Sequence, residues 1–173
     1  MSPWLMSDSI FAARGPVSTV CFAIPTPKIR FFCNFVVRKE DNQIFDPIRK
    51  KFVKLTPEEG VRQHVIKVLT RCWGYPETHL AVEYGFKYNK RQYRADIVVF
   101  NRALQPRLLV ECKAPSVQLT VDVIDQVVRY NYVLDVEYIL ITNGELFYLC
   151  RRDGKGGWLQ CSEMPSFDDL CEI

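Results

Sequence analysis

Short runs of aromatic and β-branched residues, separated by polar turns, predict β-strands along most of the chain. A helical period interrupts these runs twice, first after Thr56-Pro57 and again from about residue 120 to residue 134. Strands therefore come before, between and after two helices, and this order predicts a mixed α/β fold with a central mixed sheet flanked by helices. The strands are expected near 29–37, 43–45, 51–55, 80–87, 92–100, 107–113, 138–142 and 146–150.

The first helix has a marked beginning and a marked end. Thr56 is suited to be its N-cap, Pro57 to be its first residue, and Glu59 stands where a carboxylate can complete a capping box. Apolar residues then recur at a helical spacing, and Gly74 and Pro76 are expected to end the helix.

The chain divides into three segments around a single domain. Residues 1–43 carry four prolines and are expected to form an N-terminal extension with one strand near 29–37. Residues 44–153 are predicted to form the α/β domain. Residues 154–173 are rich in glycine and then acidic, which predicts a C-terminal tail.

Composition excludes several classes of protein. The 173 residues are 48% hydrophobic and 25% charged, which is typical of one globular domain, and the net charge of +3 permits a polyanionic partner without requiring one. No apolar run reaches the roughly 18 residues of a membrane-spanning helix, so no membrane association is expected. The seven cysteines occur singly, which predicts free thiols in a reducing cytoplasm.

The candidate chemistry lies on the segment 94–113. If its two strands pair antiparallel about the middle of the loop 101–106, Asp96 faces Glu111 with Cβ atoms about 5 Å apart. Lys113 lies two residues beyond Glu111 and projects from the same face. Because both faces of these strands are otherwise apolar, the carboxylates lie at the edge of a core, where their charge needs compensation. A hard cation such as Mg²⁺ would compensate both.

This segment resembles the PD-(D/E)XK phosphodiesterase superfamily, with Ala95-Asp96 followed by Glu111-Cys112-Lys113. The closer resemblance is to the N-terminal nuclease domain of type I restriction enzyme R subunits and their short stand-alone relatives, which implies a restriction-endonuclease-like core. The segments that carry it, in the family's order, are TPEEGVRQ (56–63), GYP (74–76), VEYG (82–85), RADIVVF (94–100), LLVECKAP (108–115), DQVVRYN (125–131) and ITNG (141–144).

The resemblance implies a cytoplasmic DNA nuclease that depends on Mg²⁺, with Mn²⁺ as a substitute. Asp96, Glu111 and the backbone carbonyl of Cys112 would bind the metal. Lys113 would position and activate the attacking water and offset charge on the phosphate, so Asp96, Glu111 and Lys113 are the expected catalytic set.

Five further residues are auxiliary candidates. Gln126 and Tyr130 match a Gln-x-x-x-Tyr element of the RecB-like branch and share one side of the second helix, where they would orient the site, touch the DNA backbone or border the core. Arg94 lies in a basic stretch that is suited to phosphate contacts. A glutamate of the first helix often completes such metal sites, and the phase of the apolar stripe favours Glu58 over Glu59, which would face solvent or the capping box.

The resemblance also raises the question of partners. Type I R subunits carry translocase domains after the nuclease, and 173 residues leave no room for them, so a separately encoded restriction or helicase subunit, or a homo-oligomer, is expected. The alternative is a non-catalytic DNA-binding module or a docking subunit of a restriction or repair complex. Single- and double-stranded substrates, and endo- and exonucleolytic cleavage, are all compatible with the sequence.

Overall fold

A computed structural model describes residues 35–88, 91–130 and 134–172. The first three strands form a small antiparallel sheet in the order β1-β2-β3. They are Val37–Arg38 (β1), Gln43–Asp46 (β2) and Lys51–Lys54 (β3). Of the strand predicted at 29–37, only the last three positions fall within the described residues.

The remaining strands form one six-stranded sheet in chain order. They are Leu80–Tyr88 (β4), Arg91–Phe100 (β5), Pro106–Cys112 (β6), Tyr138–Thr142 (β7), Phe147–Arg152 (β8) and Trp158–Cys161 (β9). All neighbours are antiparallel except β6 and β7, which are parallel and are joined by a crossover containing a helix. The predicted mixed α/β class with a central mixed sheet is therefore confirmed.

Three α-helices accompany the sheets: Pro57–Lys67 (α1), Val121–Tyr130 (α2) and Asp169–Glu172 (α3). The predicted N-cap of α1 is confirmed, since Oγ1 of Thr56 accepts a hydrogen bond of 3.1 Å from the backbone N–H of Glu59. A π-helical turn continues α1 to Cys72, and Gly74 then takes a φ of 70°, a left-handed conformation suited to a residue without a side chain.

The core lies on both sides of the six-stranded sheet. One cluster includes Val61 and Val65 of α1 with Ile97 of β5, and the other includes Val127 of α2 with Leu109 of β6; all five side chains are buried. The central strands β5, β6 and β7 contribute to both clusters, as the apolar pattern on both of their faces predicts.

The C-terminal segment is part of this core, which corrects the prediction of a tail over residues 154–173. Trp158 of β9 and Leu170 of α3 are 5% and 0% exposed. The strand and the helix are short, so their apolar pattern is too brief to be separated from a polar tail by sequence. None of the five described cysteines is in a disulfide, and in the described part of the chain no helix is long and apolar enough to cross a membrane.

Candidate active site

The strands β5 and β6 pair in the predicted register. Ile97 lies opposite Val110, and the same offset holds until a bulge after Val99. The ladder ends at the pair Ile97 and Val110, and Asp96 and Glu111 are the next residues of the two strands beyond it. Two acidic side chains thus meet at the edge of the core, where each needs a positive partner.

Both oxygens of the Asp96 carboxylate have a donor. The backbone N–H of Cys112 donates to Oδ2 at 2.7 Å, and Nη2 of Arg62 donates to Oδ1 at 2.6 Å. The bond from Cys112 ties the carboxylate to the neighbouring strand. The Cys112 thiol itself lies in the core on the side of α1, and burial raises its pKa well above the usual range, so it is unsuited to be a nucleophile.

Glu111 and Lys113 form an ion pair beside Asp96. Nζ of Lys113 donates to Oε1 of Glu111 at 2.9 Å, and both side chains are about a quarter to a third exposed. Burial, and then the charge of Asp96, raise the pKa of Glu111, with Lys113 offsetting part of this effect. The backbone N–H of Lys113 donates to the carbonyl of Thr142 in β7 at 2.8 Å, which anchors the residue to the sheet.

The structure contradicts the prediction that Glu58 faces the site. Glu58 is exposed, whereas Glu59 is 5% exposed and binds Arg62 and Arg49. The apolar stripe of α1 begins at Val61 and does not determine which side chains of the first turn are buried. The turn between β2 and β3 covers another side of this helix, where Arg49 binds Glu59. The Glu59 carboxylate is bound to these cations, and the N–H of Thr56 donates to Lys54 instead of closing a capping box.

Arg49 joins the small sheet to this site. Its guanidinium donates to Asp46 at 2.6 Å, to Glu59 at 2.7 Å and to Glu83 at 2.7 Å. Glu83 has a φ of 52° within β4, a conformation that side chains rarely adopt, and it also lies 3.7 Å from Arg62. The side chains at this end of the sheet form what we call the ionic cluster: Asp46, Arg49, Glu59, Arg62, Glu83, Arg94, Asp96, Glu111 and Lys113.

The other predicted residues have different outcomes. Arg94 is 65% exposed and lies 3.4 Å from Glu83 at the rim of the ionic cluster. Gln126 and Tyr130 lie on α2, but their side chains are outside the described residues. The sequence analysis did not assign Arg49 or Arg62 to the site. The available signals were the position of Arg49 in a turn that begins with Asp46-Pro47 and the position of Arg62 within the family segment TPEEGVRQ.

The ionic cluster carries more negative than positive side chains. It holds five carboxylates against four cations, and two of these carboxylates, Asp96 and Glu111, are hard oxygen donors on adjacent strands. Burial is the main cause of the raised pKa of Glu111, and the charge of Asp96 adds to it, so a cation bound at this pair would lower that pKa. Among the described side chains, no group of three or more His, Cys, Asp or Glu is arranged to hold a metal, so a bound ion would need backbone or water ligands in addition.

Comparison with known proteins places the chain in a family. A search of curated proteins gives no match. A solved fragment described as a candidate HsdR subunit of a type I restriction enzyme from Vibrio vulnificus YJ016 is similar in structure, with 23% identity and a TM-score of 0.49. The match covers 67% of this chain and 24% of that protein, so the chain spans about a quarter of its relative. The family profile described as Type I restriction enzyme R protein N terminus (HSDR_N) matches residues 57–165, and the chain belongs to this family.

Proposed function

We propose that this protein is a metal-dependent nuclease that hydrolyses DNA phosphodiester bonds. The observation that carries the proposal is that Asp96 and Glu111 directly follow the last pair of the β5–β6 ladder, with the ammonium group of Lys113 bound to Glu111. Membership of the R-protein N-terminal family supports it. The proposal includes the cytoplasm as the compartment and a separately encoded restriction or helicase subunit, or a second copy of the chain, as a partner.

Asp96, Glu111 and the carbonyl of Cys112 would hold Mg²⁺, or Mn²⁺ in its place. When bound, such an ion polarises a phosphate oxygen and lowers the pKa of a water. Glu59 lies on the same side of the ionic cluster as Asp96, with Arg62 bound to both, and replaces Glu58 as the helix glutamate of the site.

Lys113 and the backbone of Cys112 have different roles in this reaction. In hydrolysis a water oxygen forms a bond to phosphorus, the bond from phosphorus to O3′ breaks, and O3′ takes up a proton, giving 5′-phosphate and 3′-hydroxyl ends. Lys113 orients the water and offsets negative charge that develops on the phosphate. The N–H of Cys112 keeps Asp96 in place while the substrate binds, because this bond is part of the rigid sheet edge.

Cleavage of supercoiled and linear DNA tests the proposal. The wild type is expected to cleave with Mg²⁺ or Mn²⁺ and to stop with EDTA, and Asp96→Asn and Lys113→Ala are expected to lower the rate at least about a hundredfold. Asp168→Asn and Lys155→Ala are matched controls, because both residues are exposed and lie outside the ionic cluster.

Two outcomes would contradict the proposal. Cleavage that survives both site substitutions would place the chemistry elsewhere. A folded wild type that binds DNA but cleaves with neither metal, alone or with added restriction subunits, would favour the non-catalytic binding module. Melting temperatures of all variants, measured in EDTA, separate loss of chemistry from loss of folding.

A further inference from the structure

The outer face of the small sheet combines aromatic and basic side chains. Residues that pair directly across antiparallel strands share a face, and so do residues two apart along a strand. This rule places five side chains on one face, which we call the platform: Arg38, Gln43, Phe45, Phe52 and Lys54. The opposite face carries Ile44 and Asp46, which are 2% and 0% exposed, so the platform is the side turned away from the core.

The aromatic rings of the platform do not belong to the hydrophobic core. Phe45 and Phe52 are both partly exposed, and neither is a member of the two core clusters formed by the described residues. Their ring centroids lie 5.4 Å apart with an interplanar angle of 63°, and the Arg38 guanidinium lies 3.8 Å above the Phe52 ring. Cross-strand packing accounts for the pair, but it does not account for the basic residues around it.

Positive charge surrounds these rings. Arg38 and Lys54 lie on the platform itself and are exposed. Further exposed basic residues stand at the rim of the same sheet, against two acidic residues in the turn between β1 and β2. The basic rim residues are Lys39 and Lys50, and the acidic ones are Glu40 and Asp41.

We propose that the platform binds single-stranded DNA, whose bases stack on Phe45 and on the Arg38 guanidinium that lies over the Phe52 ring, while its phosphates pair with the surrounding basic side chains. Partly exposed aromatic rings bordered by Lys and Arg are a combination suited to single-strand binding, since every unpaired base offers a π-face. A duplex hides these faces in its own stack and offers only phosphates. The guanidinium of Arg38 is itself a flat surface on which a base stacks.

The platform is joined to the candidate active site. The turn between β2 and β3 carries Arg49, which binds Glu59 and Glu83 of the ionic cluster at 2.7 Å each. DNA held on the platform is therefore tethered to the sheet edge that carries Asp96. A platform of this kind gives the substrate of the proposed nuclease a single-stranded segment. Its relevance to cleavage rests on the proposed function. The sheet also lies before residues 57–165, the range of the family match.

Fluorescence anisotropy in EDTA tests the platform without cleavage. The probes are a labelled oligothymidylate of about 12 nucleotides and a duplex of the same length. The wild type is expected to bind the single strand more tightly than the duplex. Phe52→Leu keeps an apolar side chain but removes the ring, and it is expected to weaken oligothymidylate binding about tenfold while leaving duplex binding unchanged.

Two further variants separate stacking and charge from folding. Phe52→Trp keeps a stacking surface and is expected to restore wild-type binding, which a merely structural role of Phe52 would not predict for a larger ring. Lys54→Gln is expected to lower the slope of log K against log salt by about 0.7, the value for one phosphate on a single strand. Lys155→Gln, the matched control at an exposed position outside the platform, is expected to leave that slope unchanged.

The outcomes discriminate between this inference and the nuclease proposal. Equal binding of single strand and duplex by the wild type, or equal loss of both in Phe52→Leu, overturns the platform. Binding that depends on Phe52 in a protein that does not cleave DNA overturns only the nuclease. If cleavage depends on Asp96 but oligothymidylate binding is unchanged by substitution of Phe52, only the proposal for the platform is overturned.

Discussion

Replacement of Arg62 by glutamine is expected to destabilise the metal-free protein strongly. The Arg62 side chain is 8% exposed and binds two carboxylates, those of Glu59 and Asp96, whose side chains are 7% and 17% exposed. Removing one partner of a buried ion pair costs about 3–5 kcal/mol, because the remaining charge stays buried. Glu59 keeps two good donors, Arg49 at 2.7 Å and Nε2 of Gln63 at 2.9 Å, and Asp96 keeps the N–H of Cys112 at 2.7 Å. The free energy of unfolding should therefore fall by about 3 kcal/mol, the lower end of this range.

A loss of this size is easily measured. At about 2–4 °C per kcal/mol for a protein of this length, the melting temperature in EDTA should fall by about 6–12 °C. Arg102→Gln is the matched control, since Arg102 forms its 2.7 Å ion pair with Asp168 on the surface, where both side chains are about two-thirds or more exposed. Surface pairs contribute at most about 1 kcal/mol, so this variant should melt within about 4 °C of the wild type.

Magnesium titration of the same variant adds a second test. If Asp96 binds the ion, Mg²⁺ replaces the positive charge that the substitution removes, and it should raise the melting temperature of Arg62→Gln more than that of the wild type. A variant that melts within about 3 °C of the wild type in EDTA would refute the assignment of Arg62 as the counter-charge. Equal stabilisation of the two proteins by Mg²⁺ would refute the placement of the ion at Asp96.

Three smaller tests follow from the same contacts. Because burial and the charge of Asp96 raise the pKa of Glu111, its ionised form destabilises the metal-free fold, so Glu111→Gln should melt higher than the wild type at pH 7 in EDTA. The advantage should vanish below pH 4.5, where the wild-type side chain is protonated in both folded and unfolded chains; a difference independent of pH would contradict this. In urea unfolding, Thr56→Ala should lower the free energy of unfolding by about 1 kcal/mol and Thr56→Ser should leave it almost unchanged; equal stability of Thr56→Ala and wild type would contradict the cap. Iodoacetamide should modify exposed Cys72 in the folded protein but leave Cys112 intact in the mass spectrum, and labelling of Cys112 would contradict its burial.

The pairing of β5 with β6 could be predicted because two local constraints agree. The strands are apolar on both faces and are joined by a short polar loop, so the loop midpoint fixes the register. The observed pair Ile97 and Val110 has the same offset as the predicted pair Asp96 and Glu111. The bulge after Val99 shifts the pairing only on the loop side, so it leaves the acidic end of the ladder unchanged.

The orientation of the α1 glutamates could not be predicted in the same way. The stripe through Val61 and Val65 defines one buried side of the helix, but most of its remaining residues are buried as well, including Arg62 and Gln63. Nε2 of Gln63 donates to Asp46 at 2.9 Å, so the second buried side is polar and is covered by the small sheet. A hydrophobic period cannot reveal a helix face that is buried against charges.

The small sheet therefore completes a site whose motif residues lie elsewhere. Asp46 accepts the backbone N–H of Arg49 at 2.7 Å and thereby shapes the turn that presents the guanidinium to Glu59 and Glu83. Glu83 has a left-handed backbone that costs about 1–3 kcal/mol and persists only where surrounding contacts enforce it. Arg49 and Arg62 are such contacts. The strain at Glu83 and the burial of Glu59 are thus consequences of one tertiary docking, which is why neither is visible in the local sequence of β4 or α1.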